Sequence, residues 1–207
     1  MNDRIGSPRV ASLVTSAEEA VALIARGSTV GMSGFTGAGY PKAVPAALAR
    51  RMTEANVHGG GFTVGVWTGA STAPDLDGLL AAADGIDLRI PYQSDPVSRA
   101  KINAGEMDYL DLHLSHVAQM VGEGFFGHLD VALVEVAGVT EDGDLVPSSS
   151  VGNSKTWLDL ADRVILEVNS WQPIEMSLCS SVPRWPRAGR SPASCRWPAT
   201  STTPSTT

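Results

Sequence analysis

Apolar and polar positions along this chain repeat with two periods, and the changes from one to the other mark out its elements. Ala17, Ala20, Val21 and Ile24 fall at i, i+3, i+4 and i+7, one helical face. Ser16 and Glu19 stand at capping-box spacing at its start, and Gly27 stands where a left-handed residue ends a helix. A β-branched apolar run from Ser28 to Met32 predicts a strand. The next helical pattern runs from Lys42 to Ala55, with Val44, Ala47 and Leu48 on one face. Pro45 is tolerated there only in the first turn, whose N–H groups have no intrahelical partner, so this helix starts close to Pro41. Further strands are predicted at 62–67, 86–90, 129–136 and 163–168. Further helices are predicted at 76–83 and 97–104, and from the opening Val151-Gly152-Asn153-Ser154 to Leu160.

Strands alternating with helices at these intervals indicate parallel βαβ units. The expected fold class is α/β: an open, mainly parallel sheet flanked by helices and followed by an irregular tail. Such sheets bind ligands outside the carboxyl ends of their strands. Three turns of small residues, at 33–39, 68–74 and 91–95, follow predicted strands and are expected to share that edge.

The 207 residues are 43% hydrophobic, ample for a packed core, at a length that fits one domain or one domain plus an appendage. A net charge of -7 argues against a nucleic-acid partner, whose binding surface is normally basic. No apolar run approaches about 18 residues, so no membrane span is expected. Met1-Asn2-Asp3-Arg4 leads into no signal-type apolar block, and the expected compartment is the cytoplasm. The two cysteines are Cys179 and Cys195. Residues before them therefore hold no disulfide framework, thiolate cluster or cysteine nucleophile.

The composition changes near Met176. Ser177 to Thr207 has no Asp, Glu or Lys, and its prolines at 183, 186, 192, 198 and 204 exclude a long helix or a central strand. Trp185-Pro186, Trp197-Pro198 and two stray cysteines suit a natural Ser/Pro-rich tail poorly. The expected organisation is an N-terminal domain over 1–173 and a disordered, frameshifted tail over 174–207.

The loop Ser33-Gly34-Phe35-Thr36-Gly37-Ala38-Gly39-Tyr40-Pro41-Lys42 carries glycines in the order G-x-x-G-x-G, neither a dinucleotide fingerprint nor a Walker A. Glycine permits positive φ and close approach to the backbone. A helix start adds unpaired N–H groups and a partial positive charge. The loop therefore reads either as a site for a carboxylate, phosphate or pyrophosphate or as a tight connection that binds nothing. Ser71, Thr72, Ser94, Ser149, Ser150 and Asn153 suit either hydrogen bonds to a carboxylate or thioester oxygen or capping and turn roles; for Ser154 capping is favoured. Glu135 and Glu167 lie in apolar strands, where they either act as acid, base or nucleophile with a raised pKa or pair with a cation. His113 and His116, with Asp108 and Asp111 nearby, lack a third ligand at a recognisable spacing, so no metal is expected. Gly69-Ala70-Ser71-Thr72-Ala73 lacks the final glycine of a hydrolase elbow.

Six segments in order closely resemble one family: SGFTGAGYPK at 33–42, GAST at 69–72, INAGE at 102–106, ALVE at 132–135, PSSSVGNS at 147–154 and VILEV at 164–168. The family is the acetyl-CoA hydrolase/transferases, particularly the class I succinyl-CoA:acetate CoA-transferases, and the likeness reaches about Pro173. It implies two related α/β domains with the active site between them, this chain resembling the first. A glutamate of the second domain would attack the acyl-CoA thioester, and an oxyanion site would stabilise each tetrahedral step. The resemblance implies coenzyme A thioesters as substrates with no bound cofactor, acetate or succinate as carboxylate partners, and a homodimer in the full-length family. It places Gly34, Thr36, Gly37, Gly39, Ser71, Thr72 and Asn153 on the substrate-binding wall. Ser94 falls in the small-carboxylate pocket, where threonine is usual. No catalytic residue is assigned, because Glu135 and Glu167 lie on other segments than the family's nucleophile. The expected function is acyl-CoA:carboxylate CoA transfer by a domain inactive alone. Acetyl-CoA hydrolysis and non-catalytic binding of CoA or a carboxylate are the alternatives.

Overall fold

The computed structural model describes residues 2–174 and the dipeptide Trp197–Pro198. The rest of the expected tail lies outside the described residues. A short turn at Asn2–Arg4 precedes α1 (Pro8–Ala11), β1 (Val14–Thr15), α2 (Ala17–Val21), β2 (Thr29–Met32), α3 (Ala43–Val57) and β3 (Val64–Trp67). A π-type turn, Pro74–Gly78, runs into α4 (Leu79–Ala82), followed by β4 (Ile86–Ile90), α5 (Pro96–Ala104), β5 (Asp108–Tyr109) and α6 (Leu114–Gly122). Then come β6 (Val131–Val139), β7 (Leu145–Pro147), α7 (Ser154–Leu160) and β8 (Arg163–Val168). Trp197–Pro198 (β9) pairs in parallel with β1.

The local signals act as their chemistry requires. Ser16 Oγ accepts from Glu19 N at 3.1 Å while Ser16 N donates to Glu19 Oε2 at 3.1 Å, closing the capping box of α2. Gly27 takes φ +76°. Pro45 is the third residue of α3 and breaks no helical bond.

The main sheet is parallel in the order β5-β4-β3-β2-β6-β8, and β7 pairs antiparallel with the distal part of β6. Strands β2 to β5 are laid down in one direction and β6 and β8 in the other, so the order reverses between β2 and β6. In open α/β sheets such a reversal, at the carboxyl ends of the strands, is where ligands bind. Side chains alternate between two cores. Val30, Met32, Val131, Leu133 and Ile165 pack with α2, α3 and α4. Trp67, Ala132, Val134, Val164 and Leu166 pack with α6 and α7. All nine residues of β6 are buried, as expected of a parallel strand covered on both faces.

Several expectations shift. The predicted helix over 76–83 is a π-type turn followed by four α-helical residues, because Pro74 starts it in a loop geometry. The strand predicted at 129–136 lies at Val131–Val139, lengthened by its pairing with β7. Helix α6 was not predicted, although Leu114, Val117 and Val121 keep a helical spacing and the last two are buried. Strands β5 and β7, of two and three residues, are too short to show a periodic pattern.

Gly31 marks where helix α7 meets the sheet. A Cβ there would stand 2.8 Å from Trp157 Cδ2, and Trp157, fully buried, donates from Nε1 to Met32 O at 3.2 Å. Gly31→Ala is expected to cost about 1–3 kcal/mol through overpacking. The readout is a lower urea midpoint at unchanged slope; an unchanged midpoint would refute the contact.

Candidate active-site rim

The loops after β2, β3, β4 and β7 meet on one rim. Ser33 Oγ donates to Gly39 O at 2.8 Å and accepts from Glu135 N at 2.8 Å, tying the first loop to β6. Phe35 and Ala38 exchange N–H···O bonds of 3.0 and 3.1 Å across Thr36 (φ +47°) and Gly37 (φ +82°). Two successive positive φ values make this the tight turn that favours glycine. Thr36 N donates to Ser71 O at 3.0 Å, docking the turn on the loop after β3. Gly34 and Gly39 are required by close approach. Added Cβ atoms would lie 2.7 Å from Tyr40 Cβ at the first and 2.7 Å from Ser150 N and O at the second. Asn153 Nδ2 donates to Thr68 O at 3.4 Å and draws the loop after β7 onto the same edge.

A fully buried ion pair lies beneath these loops. Arg89 Nε donates to Asp77 Oδ1 at 3.0 Å, and both side chains have zero exposure. Arg89 also donates to Thr68 Oγ1 at 2.8 Å and Ala70 O at 3.2 Å. Asp77 Oδ2 accepts from Thr72 N at 2.7 Å and Thr72 Oγ1 at 2.8 Å. Ser71 Oγ donates to Gln93 Oε1 at 2.7 Å, which also accepts from Asp95 N at 2.8 Å. The loops after β3 and β4 are thus joined by Ser71 and Thr72, both sequence candidates, and by Asp77, Arg89 and Gln93, which the sequence pattern does not single out. A register shift between β3 and β4 puts Ile86 and Arg89, three residues apart, opposite Val64 and Val66, and so turns Arg89 toward Asp77.

A second buried group lies at the start of α3. Glu167 accepts from Lys42 N at 2.7 Å, from Ala43 N at 3.1 and 3.0 Å, and from Val44 N at 3.0 Å. Glu135, opposite it in register on β6, accepts from Lys42 Nζ at 2.6 Å and Asn169 Nδ2 at 3.2 Å. The two carboxylates are 1% and 3% exposed, and burial pushes Glu167 upward against its three N–H donors. The positive end of α3 is thus occupied by the chain's own carboxylate and is not open to an outside anion. Glu135 is thus engaged by a cation and Glu167 by a helix start.

The rim gathers Gly34, Thr36, Gly37, Gly39, Ser71, Thr72 and Asn153. Ser94 stands exposed on the turn after β4, beside Gln93. The hydroxyls of Ser71 and Thr72 donate to Gln93 and Asp77, in keeping with the structural one of their two sequence readings. His113 and His116 stack with centroids 5.4 Å apart at the start of α6, and His113 Nδ1 meets Ser115 Oγ at 2.8 Å.

Two variants test the locks. Burial by itself would raise the Asp77 carboxyl, but the Arg89 charge and the Thr72 donors outweigh it and hold the pKa below the ordinary value. Its stabilisation is therefore present above the unfolded-state pKa and lost as pH falls through the folded one. Asp77→Asn is expected to cost about 3–5 kcal/mol at pH 7, since Arg89 is left buried and unpaired. The gap from wild type should narrow below about pH 4; a constant gap would refute the assignment. Glu167→Ala should cost more than about 2 kcal/mol by stranding buried N–H groups. Amide exchange should then quicken across 34–44, and unchanged exchange there would refute the tether.

Residues 10–177 match the family model of the acetyl-CoA hydrolase/transferase N-terminal domain. The succinyl-CoA:acetate CoA-transferase of Clostridium kluyveri is 42% identical over 173 residues, covering 84% of this chain and 32% of that protein. The propanoyl-CoA:succinate CoA transferase of Escherichia coli K12 is 44% identical over 156 residues, covering 75% and 32%. The acetyl-CoA hydrolase of Schizosaccharomyces pombe is 38% identical over 168 residues, covering 78% and 32%. The chain thus spans about a third of the length of these relatives. RipA from Yersinia pestis shares the fold, with a TM-score of 0.60 at 23% identity over 83% of this chain and 38% of that one. No helix among the described residues is long and apolar enough to cross a membrane. With most of its length matched by that model, the chain belongs to the acetyl-CoA hydrolase/transferase family as its N-terminal domain.

Proposed function

We propose that this domain supplies one wall of an acyl-CoA:carboxylate CoA-transfer site whose nucleophilic carboxylate is carried by a second domain. The observation that carries the reading is the engagement of both buried glutamates at the rim. Glu167 is held by three backbone amides and Glu135 by Lys42 and Asn169. Neither is placed to attack a thioester. Exposed Phe35 at the tip of the Thr36–Gly37 turn (40%) and Tyr92 beside Ser94 (48%) fit a rim covered by another domain.

In this reading a glutamate carboxylate attacks the thioester carbonyl and CoA leaves as thiolate, giving a mixed anhydride. The thiolate then attacks the glutamyl carbonyl and expels the first carboxylate. The acceptor carboxylate displaces CoA from the glutamyl thioester, and CoA attacks the new anhydride at the acceptor's carbonyl, which frees the glutamate. This domain's contribution is shape and orientation. Gly34, Thr36, Gly37 and Gly39, with the backbone at Ser71 and Thr72, hold a close-packed wall, Asn153 fixes its flank, and Ser94 offers an outward hydroxyl to acetate or succinate. The acyl-CoA is a substrate, and the reaction calls for no further cofactor. A homodimer is the assembly proposed for the complete enzyme, and the cytoplasm its compartment.

Hydrolysis is the second reading, favoured by acetyl-CoA hydrolase relatives at 34–38% identity, near the 42% and 44% of the two transferases. Water then takes the acceptor's place. Purified chain incubated with succinyl-CoA, with and without acetate, is expected to form no acetyl-CoA and to release no CoA. Titrating acetate and CoA into labelled protein should shift amide resonances at 34–39, 69–72, 94 and 153. Turnover by this chain alone would overturn the placement of the nucleophile. Shifts confined to other surfaces would overturn the wall.

A further inference from the structure

Three side chains meet at the amino end of the sheet, opposite the rim, and the reading above gives them no role. Along His128-Leu129-Asp130 the middle residue is buried and its neighbours are not, so His128 and Asp130 turn to the same side. Asp162 holds the corresponding place on the neighbouring strand: Val131 pairs with Arg163, and each aspartate stands one residue before its strand. Backbone bonds fix this frame, from Asp130 N to Thr29 O at 3.1 Å, Arg163 N to Asp130 O at 3.0 Å and Asp162 N to Leu129 O at 3.3 Å. Asp130 Oδ2 also accepts from Thr29 N at 2.8 Å. His128 Nε2 lies 2.8 Å from Asp162 Oδ2, and one donor atom from each of the three residues lies within 4.8 Å of the others.

We infer that His128, Asp130 and Asp162 form a binding site for a divalent transition-metal ion of the zinc class. One imidazole and two carboxylates make a borderline donor set. Without thiolate it does not select soft ions, and with a nitrogen ligand it departs from the all-oxygen shells of calcium and magnesium. The two carboxylate charges match a divalent cation. Zinc bonds of about 2.0–2.2 Å to nitrogen and oxygen put tetrahedral donors about 3.4 Å apart. The closest pair must open slightly and the widest close, which side-chain rotation supplies while the strand starts stay fixed. Exposure of His128 and Asp162 leaves room for water to complete the shell. A bound ion would clasp the starts of β6 and β8 and, through Asp130 and Thr29, β2. Its effect is to stabilise the native state, remote from the rim and independent of the proposed transfer chemistry.

Calorimetric titration of ZnCl2 into the full chain carrying Cys179→Ser and Cys195→Ser, so that thiols do not contribute, tests this. One saturable site per chain is expected. His128→Ala or Asp162→Asn should weaken it by about tenfold or more, the usual scale for disturbing a metal shell. The ion pair that His128 and Asp162 share is exposed, so either substitution should move the metal-free thermal midpoint by only a few degrees. The paired substitution His113→Ala and His116→Ala should leave the affinity unchanged. Absence of saturable binding, or affinity indifferent to His128→Ala and Asp162→Asn, would overturn the site. Loss on removing His113 and His116 instead would overturn it too.

Discussion

A helix that begins against the middle of a sheet leaves N–H groups that water cannot reach. In this domain the groups of Lys42, Ala43 and Val44 converge on one carboxylate, Glu167, brought there from the far side of the sheet order by β8. The contact closes a circuit through β2, its glycine loop, α3, and the β6–β8 pair. Because α3 follows the loop directly, the position of the loop depends on where the helix start is seated. Glu135 adds Lys42 to the same circuit and Ser33 ties the loop back to β6, so the switch point is braced from both sides.

The second brace has a different chemistry. Asp77 and Arg89 are wholly buried, an arrangement that is costly unless every donor and acceptor is matched. Here Asp77 meets Arg89 and Thr72, and Arg89 meets Thr68 and the carbonyls of Ala70 and Ile90. An apolar substitute would fill the space but would not hold the backbone carbonyls at the turn after β3. The pair therefore works as a template for loops that have little apolar surface of their own. The rim is polar beneath and shaped above, and its hydroxyls at Ser71 and Thr72 serve the scaffold before any ligand. The edge itself stays exposed: the Thr36–Gly37 turn, Ser94, and the rings of Phe35 and Tyr92.

Much of this architecture was legible in the residues. The capping box at Ser16 and Glu19 and the placement of Pro45 are local devices, so their effect does not depend on distant partners. Alternation along β6 and β8 also put Glu135 and Glu167 on the face that carries Leu133 and Ile165, the face that α3 covers. Arg89 escaped notice because the register shift between β3 and β4 breaks the period of two that would have identified its face.

The sequence by itself determined the alternation of strands and helices, the parallel sheet, and the shared edge of the small-residue turns, because period, capping and glycine geometry act over a few residues. Only the tertiary structure decided which groups the rim can offer. The positive end of α3 looked open to an outside anion because its partner, Glu167, is 123 residues from Val44 along the chain. Pairing across a sheet is settled by strand order, and no local pattern in the sequence encodes that order.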